Sequence, residues 1–229
     1  MSESPQAPLL RHALATVHGR FLVQPPASGA RGLWLVGFHG YAQSAEAFLP
    51  ELARVPRTAN WLVTSVQALH PFYAGRSNAV VVANWMTRQD RELAIGDNVA
   101  YVDAVLNQLE REFGAPRAIV FAGFSQGVAM AYRAGLLGAR TCAAIVAAGG
   151  DMPPELRETA SRAWPRLLVA TGTRDEWYSP ARLEEDVAFL RTRRPDGQRL
   201  TFDGGHEWSS ALCEAAGDML AEIEGGRPA

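Results

Sequence analysis

Short apolar runs that alternate with longer helical segments are the feature that most constrains the fold of this chain. Each run has the length of a strand and lacks the apolar–polar alternation of a half-exposed strand, as expected where both faces are covered. Five runs have this character: Leu33–Phe38, Trp61–Val66, Ala118–Gly123, Ala143–Ala148 and Leu167–Thr171. Leu200–Phe202 is a shorter candidate, and Ala13–Val23 could supply an N-terminal strand pair.

The segments between these runs carry the apolar spacing and the capping residues of helices. We predict a helix over Asp97–Phe113, with Asp97 as N-cap and Gly114 at its end. A second helix is predicted over Ser179–Arg191, because Ser179 can cap it and a proline follows at the first helical position. The final helix is predicted over about Ser209–Glu224.

This order of elements predicts an α/β protein with a mostly parallel central sheet and helices on both faces. Parallel neighbours require right-handed crossover connections, which the helical segments can supply. The length of 229 residues suits one large domain, 1–229, whose ends, 1–10 and 225–229, we expect to be loose tails. In such sheets ligands bind at the carboxyl ends of the strands, so the residues that follow each strand matter most.

Composition excludes several classes of chemistry. All 22 basic residues counted as Lys+Arg are arginine, so Schiff-base chemistry, P-loop phosphate binding and Ser–Lys dyads are excluded. Two cysteines, Cys142 and Cys213, are too few for a zinc cluster or a disulfide framework, although one bridge between them stays open. The histidines at 12, 18 and 70 have no metal-ligand spacing, so no metal site is expected.

Charge and hydropathy narrow the possible partners. A net charge of −2 and a pI of about 6.2 give no electrostatic footprint for nucleic acid. No stretch approaches the roughly 18 apolar residues of a membrane span. Residues 1–20 contain Pro5, Pro8 and Arg11 where a signal peptide would have its apolar centre. We therefore expect a cytoplasmic protein without a membrane span or a nucleic-acid partner.

The strand Ala118–Gly123 leads into the motif Gly-x-Ser-x-Gly, formed by Gly123-Phe124-Ser125-Gln126-Gly127, and then into a helical segment, Val128–Leu137. A serine on a sharp strand-to-helix turn has its hydroxyl held above the sheet, and the flanking glycines avoid collision with neighbouring backbone. The helix N-terminus also favours developing negative charge. The alternative is an ordinary glycine-rich turn with an N-capping serine.

Two further strand ends supply the partners that a serine nucleophile requires. Asp175 follows the strand Leu167–Thr171, and His206 follows Leu200–Phe202 and two glycines. Either residue alone could be an ordinary turn or surface residue. The order Ser125, Asp175, His206 is the order of the α/β-hydrolase catalytic triad, which favours the catalytic interpretation. His206 would be the base and Asp175 would orient it, with Asp203 and Asp151 as rival acids.

Such a mechanism also needs two backbone N–H groups that stabilise the oxyanion of the tetrahedral intermediate. Gln126, directly after the proposed nucleophile, supplies one. The second is expected from the loop after Leu33–Phe38, which reads His39-Gly40-Tyr41, with the N–H of Tyr41 as the best donor. His39 precedes the nucleophile strand and is expected to shape this loop instead of acting as the base.

Taken together, His39-Gly40-Tyr41, Gly123–Gly127, Gly172–Asp175 and Gly205-His206 resemble the phospholipase/carboxylesterase group of α/β hydrolases, which includes acyl-protein thioesterases. The resemblance runs from about Leu33 to the last helix. It implies hydrolysis of carboxylic esters or thioesters without a metal or a cofactor. The chain departs from the group at Tyr41, usually aliphatic, and at Glu176–Pro180, which is bulkier and longer than usual, so long-chain specificity is not implied.

These departures place aromatic side chains near the proposed acyl site. We predict Trp85, Trp177, Tyr178 and Trp208 as substrate-binding residues, although Trp85 could equally be a core tryptophan. Only Gly149–Pro165, with one predicted helix over Pro154–Ala163, precedes the acid strand, so no large lid is expected. The resulting expectation is a carboxylesterase acting on short or aromatic acyl esters, as a monomer or a homodimer.

Three alternatives remain open at the level of the sequence. An acyl-thioesterase or a lysophospholipase would use the same residues on a different substrate. A non-catalytic α/β-hydrolase scaffold that binds a small ligand is the alternative from another class of protein.

Overall fold

A computed structural model of the chain describes residues 7–27, 32–76, 80–158 and 163–226. Its centre is a seven-stranded sheet with the order β1-β3-β2-β6-β7-β8-β9. The strands of this sheet are β1 (Phe21–Gln24), β2 (Leu33–Phe38), β3 (Leu62–Val66), β6 (Ala118–Phe124), β7 (Ala144–Ala148), β8 (Arg166–Gly172) and β9 (Gln198–Phe202). A two-stranded sheet is formed by β4 (His70–Tyr73) and β5 (Val81–Asn84).

The predicted α/β class with a mostly parallel sheet is confirmed. All neighbours in the large sheet are parallel except β1, which pairs antiparallel with β3. Each of the six apolar runs after residue 30 contributes a strand, and most differ from the prediction by one or two residues. Strands β2, β3 and β7 are buried along their whole length, which is why their sequences are apolar on both faces.

Two predictions about strands need correction. The segment Ala13–Val23 gives no strand pair, because only Phe21–Gln24 forms a strand and residues 13–20 are exposed without regular structure. The sequence also gave no indication that β4 pairs with β5, since three of the four residues of β4 are exposed. An isolated bridge between Gln43 and Ala83 ties this small sheet to the loop after β2.

Five helices connect the strands within the described residues. They are α1 (Ala45–Ala53), α2 (Arg91–Phe113), α3 (Gln126–Leu137), α4 (Pro180–Arg193) and α5 (Ser210–Glu224). The predicted cap of α4 is confirmed, because the hydroxyl of Ser179 accepts from a backbone N–H three residues on, and Ser209, for which no cap was predicted, does the same in α5. Helix α2 begins at Arg91, so Asp97, the predicted N-cap, lies inside it; Leu93 in the first turn is exposed and Ile95 is buried.

The segment between β7 and β8 also differs from its prediction. Only Pro154–Arg157 is helical there, as a short 3₁₀ turn, where one helix over Pro154–Ala163 was predicted. Residues 159–162 of that segment lie outside the described residues. The predicted loose tails fall partly outside them as well, and residues 7–10 are exposed without regular structure.

Two hydrophobic cores lie on the two faces of the large sheet. One packs apolar side chains of α2, α3 and α4 against the sheet, and the other packs those of α1 and α5. Cys142 and Cys213 are not joined by a disulfide. Among the described residues, no helix combines the length and the apolar character that crossing a membrane requires. The two covered faces leave the carboxyl edge of the sheet as the place where loops from different strands meet.

Candidate active site

The turn between β6 and α3 places Ser125 at the carboxyl edge of the sheet. Ser125 has φ 52° and ψ −121°, a backbone conformation that is costly for a residue with a side chain. A Cβ on Gly123 would lie 2.4 Å from the carbonyl oxygen of Gly127, and one on Gly127 would lie 2.0 Å from that of Phe38. Both glycines are therefore required by close backbone contacts, as the motif predicts.

The Ser125 side chain does not cap the helix that follows it. The hydroxyls of Ser44, Ser179 and Ser209 each accept a backbone hydrogen bond at a helix N-terminus, but no side-chain cap bond is made by Ser125. The Ser125 N–H donates instead to the carbonyl of Ala148 on β7 at 2.9 Å. The alternative interpretation of the motif as a turn with an N-capping serine is therefore disfavoured.

Asp175 and His206 meet across the ends of β8 and β9. The Nδ1 atom of His206 lies 2.9 Å from Oδ2 of Asp175. Because an ionised carboxylate only accepts hydrogen bonds, Nδ1 must carry the proton, which leaves Nε2 as the free ring nitrogen. Asp175 is buried, and its Oδ1 accepts the N–H groups of Trp177 and Tyr178, both at 2.9 Å.

The His206 ring packs directly against the serine turn. Its centroid lies 4.8 Å from that of Phe124, the residue before Ser125. A Cβ on Gly149 would lie 3.0 Å from Cε1 of His206 and 3.3 Å from Oδ2 of Asp175. The structure thus places the hydrogen-bonded pair of His206 and Asp175 beside the turn that carries Ser125, and no hydrogen bond between His206 and Ser125 is found among the described residues.

The two rival acids lie elsewhere. Asp203 is 84% exposed in its side chain and forms an ion pair with Arg174 on the surface. Asp151 pairs with Arg182 at 3.4 Å, and partial burial raises its pKa. Within the described part of the chain, Asp175 is the carboxylate that contacts His206.

Two backbone N–H groups near Ser125 have no hydrogen-bond acceptor among the described residues. Among the described residues, none accepts a hydrogen bond from the N–H of Tyr41 or of Gln126, whereas the N–H groups of Gly40 and Ala42 are bonded to Gln43 Oε1 and Ala83 O. A Cβ on Gly40 would lie 3.2 Å from Cβ of Ser125, so the Tyr41 loop lies beside the serine. Both N–H groups predicted for oxyanion stabilisation are available there.

His39 contacts this loop from its buried side. It is fully buried, its Nε2 accepts the N–H of Ala68 at 3.0 Å, and its Nδ1 lies 2.7 Å from the carbonyl of Gly40. Since Nε2 accepts, Nδ1 donates and the ring is neutral. Burial lowers the pKa of His39, an effect larger than the opposing hydrogen bond to Gly40. Both ring nitrogens are occupied, which agrees with the prediction that His39 shapes the loop.

The four aromatic residues predicted to bind substrate separate into two groups. Trp177 is 75% exposed, lies 6.5 Å from the His206 ring between centroids, and lines a cleft beside Ser125 together with Tyr178. The cleft has a volume of about 300 Å³. Tyr178 is buried, so it presents little surface to that cleft.

Trp85 also lines the cleft, whereas Trp208 is not among its lining residues. Trp85 is fully buried between Phe38 and His39, and its Nε1 donates to the carbonyl of His39 at 2.8 Å. Trp208 is buried against Phe48 in the core under α1 and α5. Trp85 therefore combines a core position with a place in the cleft wall, and Trp208 belongs to the core under α1 and α5.

Gln126 has a second role that its position in the motif did not reveal. Its side chain accepts the N–H of Trp85 and donates to the carbonyl of Met86, both at 2.9 Å. These two hydrogen bonds link the segment after β5 to the helix that follows Ser125. The sequence showed only that an amide follows the serine.

A buried network behind Asp175 was also missed. The hydroxyl of Thr171 donates to the carbonyl of Tyr178 at 2.6 Å, and the phenol of Tyr178 donates to Asp186 at 3.0 Å. Asp186 also accepts the N–H of Met152 and pairs with Arg157. One signal was present in the sequence, since Asp186 lies on the apolar stripe of α4, where a charge requires partners.

The described residues contain no group of three or more histidine, cysteine or acidic side chains that could hold a metal ion. The arrangement at the sheet edge is a hydroxyl on a strained turn, an oriented imidazole and two unbonded N–H groups. These are the components of nucleophilic acyl transfer.

No protein-family model matches the sequence, and no curated protein matches it. Solved structures do match in fold. Esterase PE8 is 24% identical with a TM-score of 0.72, covering 90% of this chain and 100% of its own. A carboxylesterase from Bacillus cereus is 18% identical with a TM-score of 0.70, covering 89% and 94%.

A phospholipase/carboxylesterase from Dyadobacter fermentans is 19% identical with a TM-score of 0.66, covering 92% of this chain and 100% of its own. The structural neighbours are thus phospholipase/carboxylesterase and acyl-protein thioesterase α/β hydrolases at low identity. The chain shares the α/β-hydrolase fold of these structures over about nine-tenths of its length.

Proposed function

We propose that this protein is a serine hydrolase that cleaves carboxylic esters through an acyl-enzyme on Ser125. The observation that carries the proposal is the hydrogen-bonded pair of His206 and Asp175, packed on Phe124 beside the strained serine turn. The fold shared with esterases supports it. The required order of the three residues along the chain supports it as well.

In the first half-reaction the Ser125 hydroxyl attacks the ester carbonyl carbon while Nε2 of His206 takes its proton. Asp175, held by two backbone N–H groups, keeps the proton on Nδ1 and stabilises the imidazolium. His206 then donates the proton to the leaving alkoxide, and the C–O bond breaks. The products of this step are an alcohol and an acyl ester of Ser125.

In the second half-reaction water takes the place of the alcohol. His206 removes a proton from the water, which attacks the acyl carbon, and the proton returns to the Ser125 oxygen as the acid leaves. In both halves the oxyanion would be stabilised by the N–H groups of Tyr41 and Gln126. Each such donor typically contributes about 10²- to 10³-fold in rate.

The cleft favours small acyl or alcohol groups. Its volume of about 300 Å³ lies at the lower end of the range of roughly 300–1,000 Å³ for small-molecule sites. The exposed indole of Trp177 forms one wall beside His206. We therefore propose short or aromatic acyl esters as the preferred substrates.

A fluorophosphonate probe tests the nucleophile directly. We expect the wild type to be labelled and Ser125→Ala to be unlabelled. Ser44→Ala is the matched control, because Ser44 is an N-capping serine at another helix, and it should label as strongly as the wild type. Absence of labelling in the wild type, or undiminished labelling of Ser125→Ala, would favour the non-catalytic scaffold.

A series of p-nitrophenyl esters from two to sixteen carbons, with one acyl thioester, tests the reaction and its range. We expect Ser125→Ala and His206→Ala to lower kcat by about 10³-fold or more, because the residues of a triad act as a unit. Turnover that rises from butyrate to palmitate would contradict the proposed preference. A dominant thioester activity would reassign the enzyme to the thioesterases.

The acid is tested by a pair of variants. Asp175→Asn should lower kcat by about 10²- to 10⁴-fold, because an amide no longer fixes the imidazole tautomer. Asp203→Asn changes a carboxylate on the surface and should retain wild-type activity. The reverse result would assign the acid to Asp203.

A further inference from the structure

Two arginine side chains lie in the wall of the cleft beside Ser125. Arg133 is on α3, and Arg91 is the first residue of α2. Arg133 has 3% of its side chain exposed, and Arg91 has 34%. A guanidinium held almost fully out of water at the edge of a small cleft requires an explanation, since burial of a charge is costly.

Part of that cost is offset by Glu155. Arg133 lies 2.7 Å from one oxygen of this carboxylate, and Arg91 lies 3.0 Å from the other. Glu155 therefore bridges the two guanidinium groups, and Arg91 also pairs with Glu92 at 3.4 Å. Burial is the largest influence on the pKa of Arg133 and lowers it, against the opposing effect of its hydrogen bond to Glu155.

One further nitrogen of Arg133 has a poor acceptor. Its Nη1 lies 3.4 Å from the thioether sulfur of Met86, which also lines the cleft. A thioether is a weak acceptor, so a carboxylate oxygen in the cleft would be a much better partner for this N–H group. The remaining charged residue of the wall, Asp151, has half of its side chain exposed and pairs with Arg182.

The geometry of α3 relates Arg133 to the reacting serine. Gln126, Ala129 and Arg133 share one face of the helix and line the same cleft. The Cα of Arg133 lies about 12 Å along the axis from that of Ser125, and long helical side chains lean back toward the N-terminus. This leaves room for a ligand arm of about four bonds between the ester carbon and the guanidinium.

We propose that the cleft binds esters that carry a carboxylate, and that Arg133 and Arg91 recognise this carboxylate while Ser125 attacks the ester. The inference rests on the proposed function and adds the chemical class of the substrate. A half-ester of a short dicarboxylic acid has the required arm on its acyl side. An acyl ester of a short hydroxy acid has it on the alcohol side.

The test compares charged esters with neutral esters of the same shape. The acyl-side pair is monoethyl glutarate and its terminal amide, and the alcohol-side pair is 4-acetoxybutanoate and its amide, each followed in a pH-stat. We expect kcat/KM to be about 10- to 100-fold higher for the acid in at least one pair, as for a charge-assisted hydrogen bond. The substrate pair in which the acid is preferred shows whether the recognised carboxylate lies on the acyl side or on the alcohol side of the ester.

Variants assign the preference to the arginines. Arg91→Gln, at a partly exposed position, should raise KM for the charged ester about tenfold and KM for the neutral amide much less. Arg133→Gln should have the larger effect, and Arg133→Met with a thermal unfolding measurement shows whether any loss is one of folding. Arg111→Gln, near the opposite end of α2, is the matched control and should behave as the wild type.

The outcomes separate this inference from the proposed function. A wild type that hydrolyses p-nitrophenyl butyrate but shows no preference for either acid overturns the inference alone. A preference that survives in Arg91→Gln and Arg133→Gln also overturns it. A wild type that hydrolyses no ester and is not labelled by fluorophosphonate overturns the proposed function itself.

Discussion

The two regions that meet at the active site are held in different ways. The serine turn, Gly123–Gly127, is fixed by backbone atoms so close that a single Cβ at either end would overlap a carbonyl oxygen. The acid–base region is held by hydrogen bonds from side chains, including Thr171, Tyr178 and Asp186. The first region has no tolerance for added volume, whereas the second depends on several bonds of modest strength.

Because of this difference, the two regions should respond differently to mutation. A steric overlap with backbone cannot be relieved by a rotamer change, so one methyl group must displace a strand or a helix. A hydrogen-bond network loses one bond at a time, and each bond contributes about 1 kcal/mol. We therefore expect an abrupt loss in the serine turn and graded losses around Asp175.

The largest effect is expected from Gly127→Ala. Its Cβ would lie 2.0 Å from the Phe38 carbonyl oxygen, so β2 and α3 must separate. We expect destabilisation of about 3 kcal/mol or more, or no soluble protein, measured by urea unfolding. Gly96→Ala is the control, because Gly96 lies in α2 with nothing within 4 Å of the added Cβ.

Because Gly96 lies in a helix with open space around it, replacement by alanine should stabilise the protein by up to about 1 kcal/mol. If Gly127→Ala unfolded at the same urea concentration as the wild type, the proposed contrast between the two regions would be wrong.

A smaller effect is expected from Thr171→Val in the acid–base region. The substitution keeps the shape of the side chain but removes the 2.6 Å bond to the carbonyl of Tyr178. We expect a loss of about 1–2 kcal/mol in the free energy of unfolding, because the buried carbonyl then lacks this donor. Activity should fall by less than in Asp175→Asn, measured as kcat with p-nitrophenyl butyrate.

Thr192→Val is the matched control for this loss. The hydroxyl of Thr192 donates to the carbonyl of Phe189 at 2.7 Å on the surface, where water can replace it. Equal losses in both variants would show that burial of the bond does not matter. A Thr171→Val protein as inactive as Asp175→Asn would show that the network acts as one unit.

The smallest effect concerns the pH dependence of stability through His39. Burial lowers the pKa of His39 in the folded protein below its ordinary value near 6.5. The unfolded chain then binds a proton that the folded protein does not, so stability is complete above pH 6.5 and decreases as the pH falls below it. The slope from this residue is at most about 1.4 kcal/mol per pH unit.

His39→Gln tests this assignment. Its amide can still accept the Ala68 N–H but cannot titrate, so we expect lower stability at pH 7.5 and a shallower decrease between pH 6.5 and 5. His12→Gln is the control, since His12 is half exposed on the surface. An unchanged slope in His39→Gln would show that other groups cause the acid sensitivity.

Much of the fold could be predicted because its signals are local. Leu33–Phe38 is apolar on both faces and forms a central strand, and Ser179 with Pro180 marks a helix start that the structure confirms. The start of α2 at Arg91 was not predicted in this way, since Asp90 before it makes no side-chain cap hydrogen bond and Leu93 in its first turn is exposed. The pairing of β4 with β5 depends on contacts that no periodicity records.

The candidate site shows the same division. Ser125, Asp175 and His206 were predicted because each comes shortly after the end of a strand, and parallel strands end at one edge. The burial of Trp208 in a core was not predicted, because proximity in sequence does not fix the direction of a side chain. Gln126, Asp186 and Arg133 acquired their partners only through folding.

Local sequence signals located the strands of the large sheet after residue 30 and the residues that follow them, because apolar patterning and glycine sterics act over a few neighbouring positions. Only the tertiary structure decided that His39 is locked and neutral and that Arg133 and Arg91 share one carboxylate at the cleft. The physical reason is that burial and hydrogen-bond partners come from packing between distant segments. The direction of a side chain relative to the sheet edge therefore depends on the whole fold.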